Sequence, residues 1–166
     1  FPVFYVGGNF WCILAAMVKG ATLVMSAEFD AQSVVKACRE ERVTVLSGIP
    51  FMLKEIVHDP NFDPSAFETV RVGFFGGATM PHQDIKTLVE KIGYAHFLQI
   101  YGMTELHGIS MTTVHSDPLD IQLTTCGYPL PGFELKLEDP DSGQEVTGTG
   151  TGEALFKGRT HLTYEG

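Results

Sequence analysis

Near its middle the chain reads Gln99-Ile100-Tyr101-Gly102-Met103-Thr104-Glu105, which sets an aromatic ring, a glycine, a hydroxyl and a carboxylate within five residues. A ring can stack on a base, a hydroxyl can bond a phosphate oxygen, and a carboxylate can hold a hard cation such as Mg2+ that bridges phosphates. Those roles suit a nucleotide; a buried Tyr followed by a solvated Glu accounts for the same letters. A second stretch, Gly73-Phe74-Phe75-Gly76-Gly77-Ala78, leads toward Pro81. Its small residues let a backbone approach a flat ligand closely, and they serve equally as a tight strand-to-helix turn with no ligand. The third, Ser47-Gly48-Ile49-Pro50, reads first as a turn and second as the wall of a substrate channel.

All three stretches fall at the C-terminal ends of expected strands, where parallel sheets place their ligands. Strands are expected at 21–25, 43–47, 70–75 and 96–100, the first three almost continuously apolar, as strands buried on both faces are. Asp30 is placed to N-cap a helix running to about residue 41, and Pro50 and Pro81 stand where a first helical turn tolerates a missing N–H. This alternation is the pattern of βαβ units around a parallel sheet. After residue 117 helical periodicity stops. Strands are expected at 133–138 and 153–156, with Asp139-Pro140-Asp141-Ser142-Gly143 supplying turn residues between them. The expected fold class is therefore α/β: a parallel-sheet βαβ subdomain over 1–117, then the start of a smaller β-rich subdomain over 118–166. Gly148-Thr149-Gly150-Thr151-Gly152 lies between strands, opens no helix and reads as a loop, not a phosphate cradle.

Composition narrows the classes of partner. The formal net charge is -9, from 11 basic and 20 acidic side chains, and nucleic acids or anionic membranes require clustered Lys and Arg that are missing here. A hydrophobic share of 44% suits a globular core. No run approaches the roughly 18 apolar residues of a membrane span. Cys12, Cys38 and Cys126 are far apart and odd in number, which points to buried thiols in a reducing cytoplasm, not to a disulfide frame or zinc site. His58, His82, His96, His107, His115 and His161 form no HExxH pattern, and no GxSxG elbow surrounds Ser47, so zinc and serine hydrolysis find no support.

The string Tyr101-Gly102-Met103-Thr104-Glu105 resembles the YGxTE core motif of the adenylate-forming enzymes, which include acyl-CoA synthetases, coumarate-CoA ligases, luciferases and peptide-synthetase adenylation domains. Other segments follow in the family's order. Phe1-Pro2-Val3-Phe4-Tyr5-Val6-Gly7-Gly8 is similar to its PLFHxxG segment, Gly20-Ala21-Thr22 to its GAT, and Gly76-Gly77-Ala78 to its adenine-binding GGA turn. Gly127-Tyr128-Pro129-Leu130-Pro131-Gly132 resembles GxPLPG, and Gly152-Glu153 the GE that follows.

The resemblance implies that Gly76, Gly77 and Ala78 face adenine, that Tyr101 stacks near it, and that Gly102 and Met103 complete the nucleotide turn. It further implies that Thr104 contacts phosphate or the substrate carboxylate, that Glu105 ligates Mg2+, and that Tyr5, Gln99 and Ile100 line the substrate pocket. The implied chemistry uses ATP to turn a carboxylic acid into an acyl-adenylate, then coenzyme A to form a thioester. A carrier-protein-loading adenylation domain and a non-catalytic nucleotide-binding module are the competing functions.

The family's Ser/Thr-rich phosphate loop, its TGD segment and its C-terminal catalytic Lys have no counterpart here. The chain also begins without Met, so it reads as a central fragment with no adenylation activity of its own. Three departures bear on substrate: Tyr5 stands where many members carry His, Ile100 where Gly is frequent, and Leu106-His107 where Thr-Gly is common. A branched side chain at Ile100 suggests a smaller or differently placed acyl group.

Overall fold

The computed structural model describes residues 2–158; Phe1 and His161 lie outside them, as does the rest of the expected β-rich segment after 158. The chain opens with a π-helical segment, Gly7–Leu14, that continues into α1, Ala15–Lys19, and ends where Gly20 turns left-handed at φ 63°. Longer π-helical runs are rare and tend to occur at functional sites.

Three parallel strands form the centre: β1, Val45–Gly48; β2, Val72–Phe75; and β3, His96–Tyr101. Helices α2 (Ala31–Glu40), α3 (Pro50–His58) and α4 (His82–Ile92) alternate with them in the chain. The helix starts follow local chemistry. The Asp30 carboxylate accepts hydrogen bonds from the Ser33 N–H and hydroxyl, both at 2.8 Å, which holds the Asp30 carboxyl below its usual range. Pro50 occupies the first position of α3, and Pro81 immediately precedes α4. Apolar residues spaced three and four apart on α4, Ile85, Leu88 and Ile92, face the core.

That core contains Leu53, Ile56, Phe67, Leu88 and Phe97, each at most 2% exposed, and burial of each such side chain contributes about 1.5–3 kcal/mol. The Phe97 ring stacks on Phe75 at 5.3 Å and tilts against Tyr94 at 4.8 Å. Gly73 is where these rings meet the sheet. A Cβ there would lie 2.5 Å from Tyr94 Cε1 and 2.6 Å from Phe97 Cδ2, so this glycine serves packing, not a ligand. The Lys54–Asp84 ion pair, 2.7 Å, joins α3 to α4. Burial pushes the Cys38 thiol up to about 11, which leaves it protonated and inert at neutral pH.

Two short antiparallel strands, β4 (Met111–Thr112) and β5 (Tyr128–Pro129), extend the sheet in the order β1-β2-β3-β4-β5. β4 is too short to cover the whole edge of β3, and side chains complete the pairing. The Phe97 N–H donates to Gln122 Oε1 (3.3 Å) and the Gln99 N–H to Thr113 Oγ1 (3.1 Å). Gln122 is 2% exposed and also donates to the carbonyl of Asp117 at 2.7 Å. It belongs to α5, Leu119–Thr124, whose Leu123 joins the core. β6 (Phe133–Glu138) and β7 (Glu153–Gly158) then form a separate antiparallel ladder.

Two expectations are corrected. Residues 21–25 are not a strand: they run irregularly, all exposed, with no ladder partner among the described residues, and β-branched composition makes a strand only where pairing and cover exist. Helical structure does not stop at 117 either, because Pro118 precedes α5 and Gln122 fixes that helix to β3. No helix among the described residues is long and apolar enough to cross a membrane.

Candidate functional site

The C-terminal ends of β2 and β3 lie side by side, with Phe75 in register with Gln99. The chain leaves β2 through Gly76 and Gly77, the latter at φ 84°, and Gly76 packs directly on the Ile100 side chain and carbonyl. The two glycine-bearing turns singled out in the sequence therefore meet at one edge of the sheet. Ile100 fills the space beside Gly76 that a Gly at position 100 would leave open.

After Tyr101 the chain folds into a single tight turn, Thr104–Leu106. Met103 O accepts from the N–H groups of Leu106 (3.1 Å) and Gly108 (2.9 Å), and the Tyr101 carbonyl accepts from Ser110 N–H at 2.9 Å. Leu106, 6% exposed, anchors the turn from inside. Gly102 lies against the Gly108 backbone so closely that no side chain fits. These contacts leave Thr104 exposed and Glu105 half-buried, and no hydrogen bond or ion pair within the described residues engages the Glu105 carboxylate. The Tyr101 ring is 37% exposed and stacks on Phe156 of β7 at 5.8 Å and 22°.

Thr104 and His107 face the start of the chain across a cavity of about 280 Å³, whose other walls are Phe4, Tyr5, Val6, Asn9 and Phe10. Tyr5 and Thr104, roughly a hundred residues apart in sequence, thus share one pocket. Gln99 and Ile100 do not line it. Gln99 Nε2 donates to the Gln122 carbonyl at 3.2 Å, which braces β3 against α5. A larger hollow of about 450 Å³ beside Gly132, Glu134 and Lys157 shares no residue with these turns.

Sequence reasoning gave His107 no role. It adopts φ 58°, a left-handed conformation that costs a residue with a Cβ roughly 1–2 kcal/mol. Its Nδ1 is buried without a partner, as is the indole nitrogen of Trp11 beside Gly108. The one signal available in the sequence was His107 standing where a glycine is common.

The profile of the AMP-binding enzyme family matches residues 1–163, and the chain belongs to that family. It is 32% identical over 157 residues to the putative acyl-CoA synthetase YngI of Bacillus subtilis (strain 168), covering 95% of this chain and 29% of that protein. It is 32% identical over 167 residues to the acyl-CoA ligase SID4 of Ajellomyces capsulatus, covering 99% and 28%. Among solved structures, a double mutant of o-succinylbenzoate CoA synthetase (MenE) from Bacillus subtilis, bound with its product analogue, superimposes with a TM-score of 0.80 at 26% identity. That alignment covers 99% of this chain and 32% of the synthetase. The chain thus spans under a third of the length of these relatives.

Proposed function

We propose that the chain is the central part of an ATP-dependent acid:CoA ligase. The substrate carboxylate attacks the α-phosphorus of ATP and pyrophosphate leaves; the thiol of coenzyme A then attacks the acyl carbonyl and AMP leaves. The observation that carries the reading is the juxtaposition at the sheet edge: the Gly76-Gly77-Ala78 turn beside β3, followed by a turn that leaves Thr104 in a cavity and Glu105 unpaired. Named relatives that are acyl-CoA synthetases and ligases support free coenzyme A as acceptor over a carrier protein.

In this reading Gly76, Gly77, Ala78, Gly102 and Met103 shape a nucleotide seat, and Tyr101, held on one face by Phe156, offers its exposed surface to adenine. Thr104 bonds a phosphate or carboxylate oxygen. Tyr5 walls the acid pocket, and Ile100 narrows the approach beside Gly76, with Gln99 holding β3 in place behind it. Glu105 fits a Mg2+ ligand because its carboxylate is half-buried and uncommitted, and Mg2+ characteristically takes one or two carboxylates with phosphate oxygens and waters. Such an ion would neutralise phosphate charge. The free thiols Cys12, Cys38 and Cys126 support a cytoplasmic location.

The test is to identify products in the intact enzyme. Incubation with ATP and a panel of carboxylic acids is expected to yield AMP and pyrophosphate in an acid-dependent manner, and acyl thioester once coenzyme A is added. Formation of ADP and phosphate, or acid-independent turnover, would refute the proposal.

A further inference from the structure

We infer that His107 is a specificity-determining residue of the acid pocket, hydrogen-bonding an oxygen substituent, hydroxyl or carbonyl, on the acyl part of a short carboxylic acid. The inference rests on the adenylate-forming reading above. Three observations carry it. His107 is one of only two non-glycine residues with positive φ among the described residues, so its position is maintained against a local preference. Neither of its ring nitrogens makes a hydrogen bond within the described residues, and Nδ1 is buried. The residue lines the same cavity as Thr104.

Nδ1 is closed off from the cavity, so the bonding atom is Nε2, which is accessible and has no partner within the described residues; a strained residue presenting such an atom at a pocket wall is a pattern that calls for an occupant. The ring sits edge-on to Phe10, centroids 6.3 Å apart and planes at 84°, and none of the polar groups on the same cavity wall, those of Tyr5, Asn9 and Thr104, hydrogen-bonds to it. Nε2 of a neutral imidazole donates in one tautomer and accepts in the other, which matches a hydroxyl in either sense and a carbonyl as acceptor. With Thr104 assigned to the reacting carboxylate or phosphate, His107 is left for the acyl chain. The cavity, about 280 Å³, falls just below the usual size of ligand sites, about 300–1,000 Å³, which favours a short acid. A purely apolar acid would leave the imidazole unsatisfied, and sites built to bond a polar substituent reject analogues without it.

The test uses the intact enzyme and compares kcat/KM for AMP formation within matched acid pairs: butanoate with 3-hydroxybutanoate, pentanoate with 4-oxopentanoate, and benzoate with 3-hydroxybenzoate. An oxygenated acid is expected to be preferred over its parent by roughly 10–100-fold in at least one pair, the range left by one unmet buried polar group. His107→Gly, which relieves the backbone strain and removes the imidazole, should bring that ratio close to one. His107→Asn tolerates the same φ, keeps a hydrogen-bonding group and should retain part of the preference. Parent acids used equally well in every pair, or a preference that survives His107→Gly, would overturn the inference while leaving acid activation intact. Absence of AMP formation with any acid would overturn the underlying reading and this inference with it.

Discussion

Glu105→Ala in the intact enzyme is expected to lower kcat/KM for acid activation by roughly 10²–10³-fold, the usual loss when one electrostatic stabiliser of a charged transition state is removed. The fold should barely notice. Glu105 is half-buried, sits in a turn held by the Met103 carbonyl and the buried Leu106, and makes no side-chain bond within the described residues. The loss should therefore appear in the Mg2+ dependence: the variant should need far more Mg2+ for half-maximal rate, with a melting temperature close to the parent's. A variant whose Mg2+ titration overlays the parent's would remove Glu105 from the metal site.

A second large effect is expected at Gly102. A Cβ there would press on the Gly108 carbonyl oxygen and lie 2.7 Å from Ile109 Cα, and since both are backbone, no rotamer change relieves the contact. Gly102→Ala should cost about 3 kcal/mol or more of stability, at the upper end of overpacking effects. It should also reduce activity, because the displaced segment carries Thr104 and Glu105. Urea unfolding and steady-state kinetics on the same preparation measure both. Near-native stability would mean that the turn opens more readily than its backbone bonds imply.

Much of the frame could be read from the sequence because its causes are local. Strands β1 and β2 are largely apolar runs, each of the three central strands ends at or just before a glycine, and Asp30 and Pro50 mark helix starts through chemistry within one turn of the helix. The misreadings came from partners distant in sequence. Residues 21–25 have strand composition but no partner in the described structure. α5 has only six residues, and its decisive member is polar: Gln122 is buried because β4 leaves part of β3 uncovered, a fact about strand lengths that no periodicity records.

The site divides in the same way. The turns at Gly76 and Tyr101 could be placed at strand ends from sequence, and the pairing of Phe75 with Gln99 brings them together. The Tyr101–Phe156 stack joins residues 55 positions apart in two different sheets, and composition gives no hint of it. Gln99 was placed in the substrate pocket by the family resemblance; the bond from its amide to the Gln122 carbonyl of α5 joins residues 23 positions apart and could not be read from the sequence. His107 was visible only as an unusual letter, since left-handed backbone at a residue with a Cβ is set by the surrounding turn.

The most direct measurement of the central claim is hydrogen–deuterium exchange on the intact enzyme with and without a non-hydrolysable acyl-adenylate analogue. Protection concentrated in peptides covering 73–78 and 99–107 is the predicted result, because both turns would close on one ligand. Protection elsewhere, with these two segments unchanged at saturating analogue, would contradict the assignment of the sheet edge as the adenylate seat.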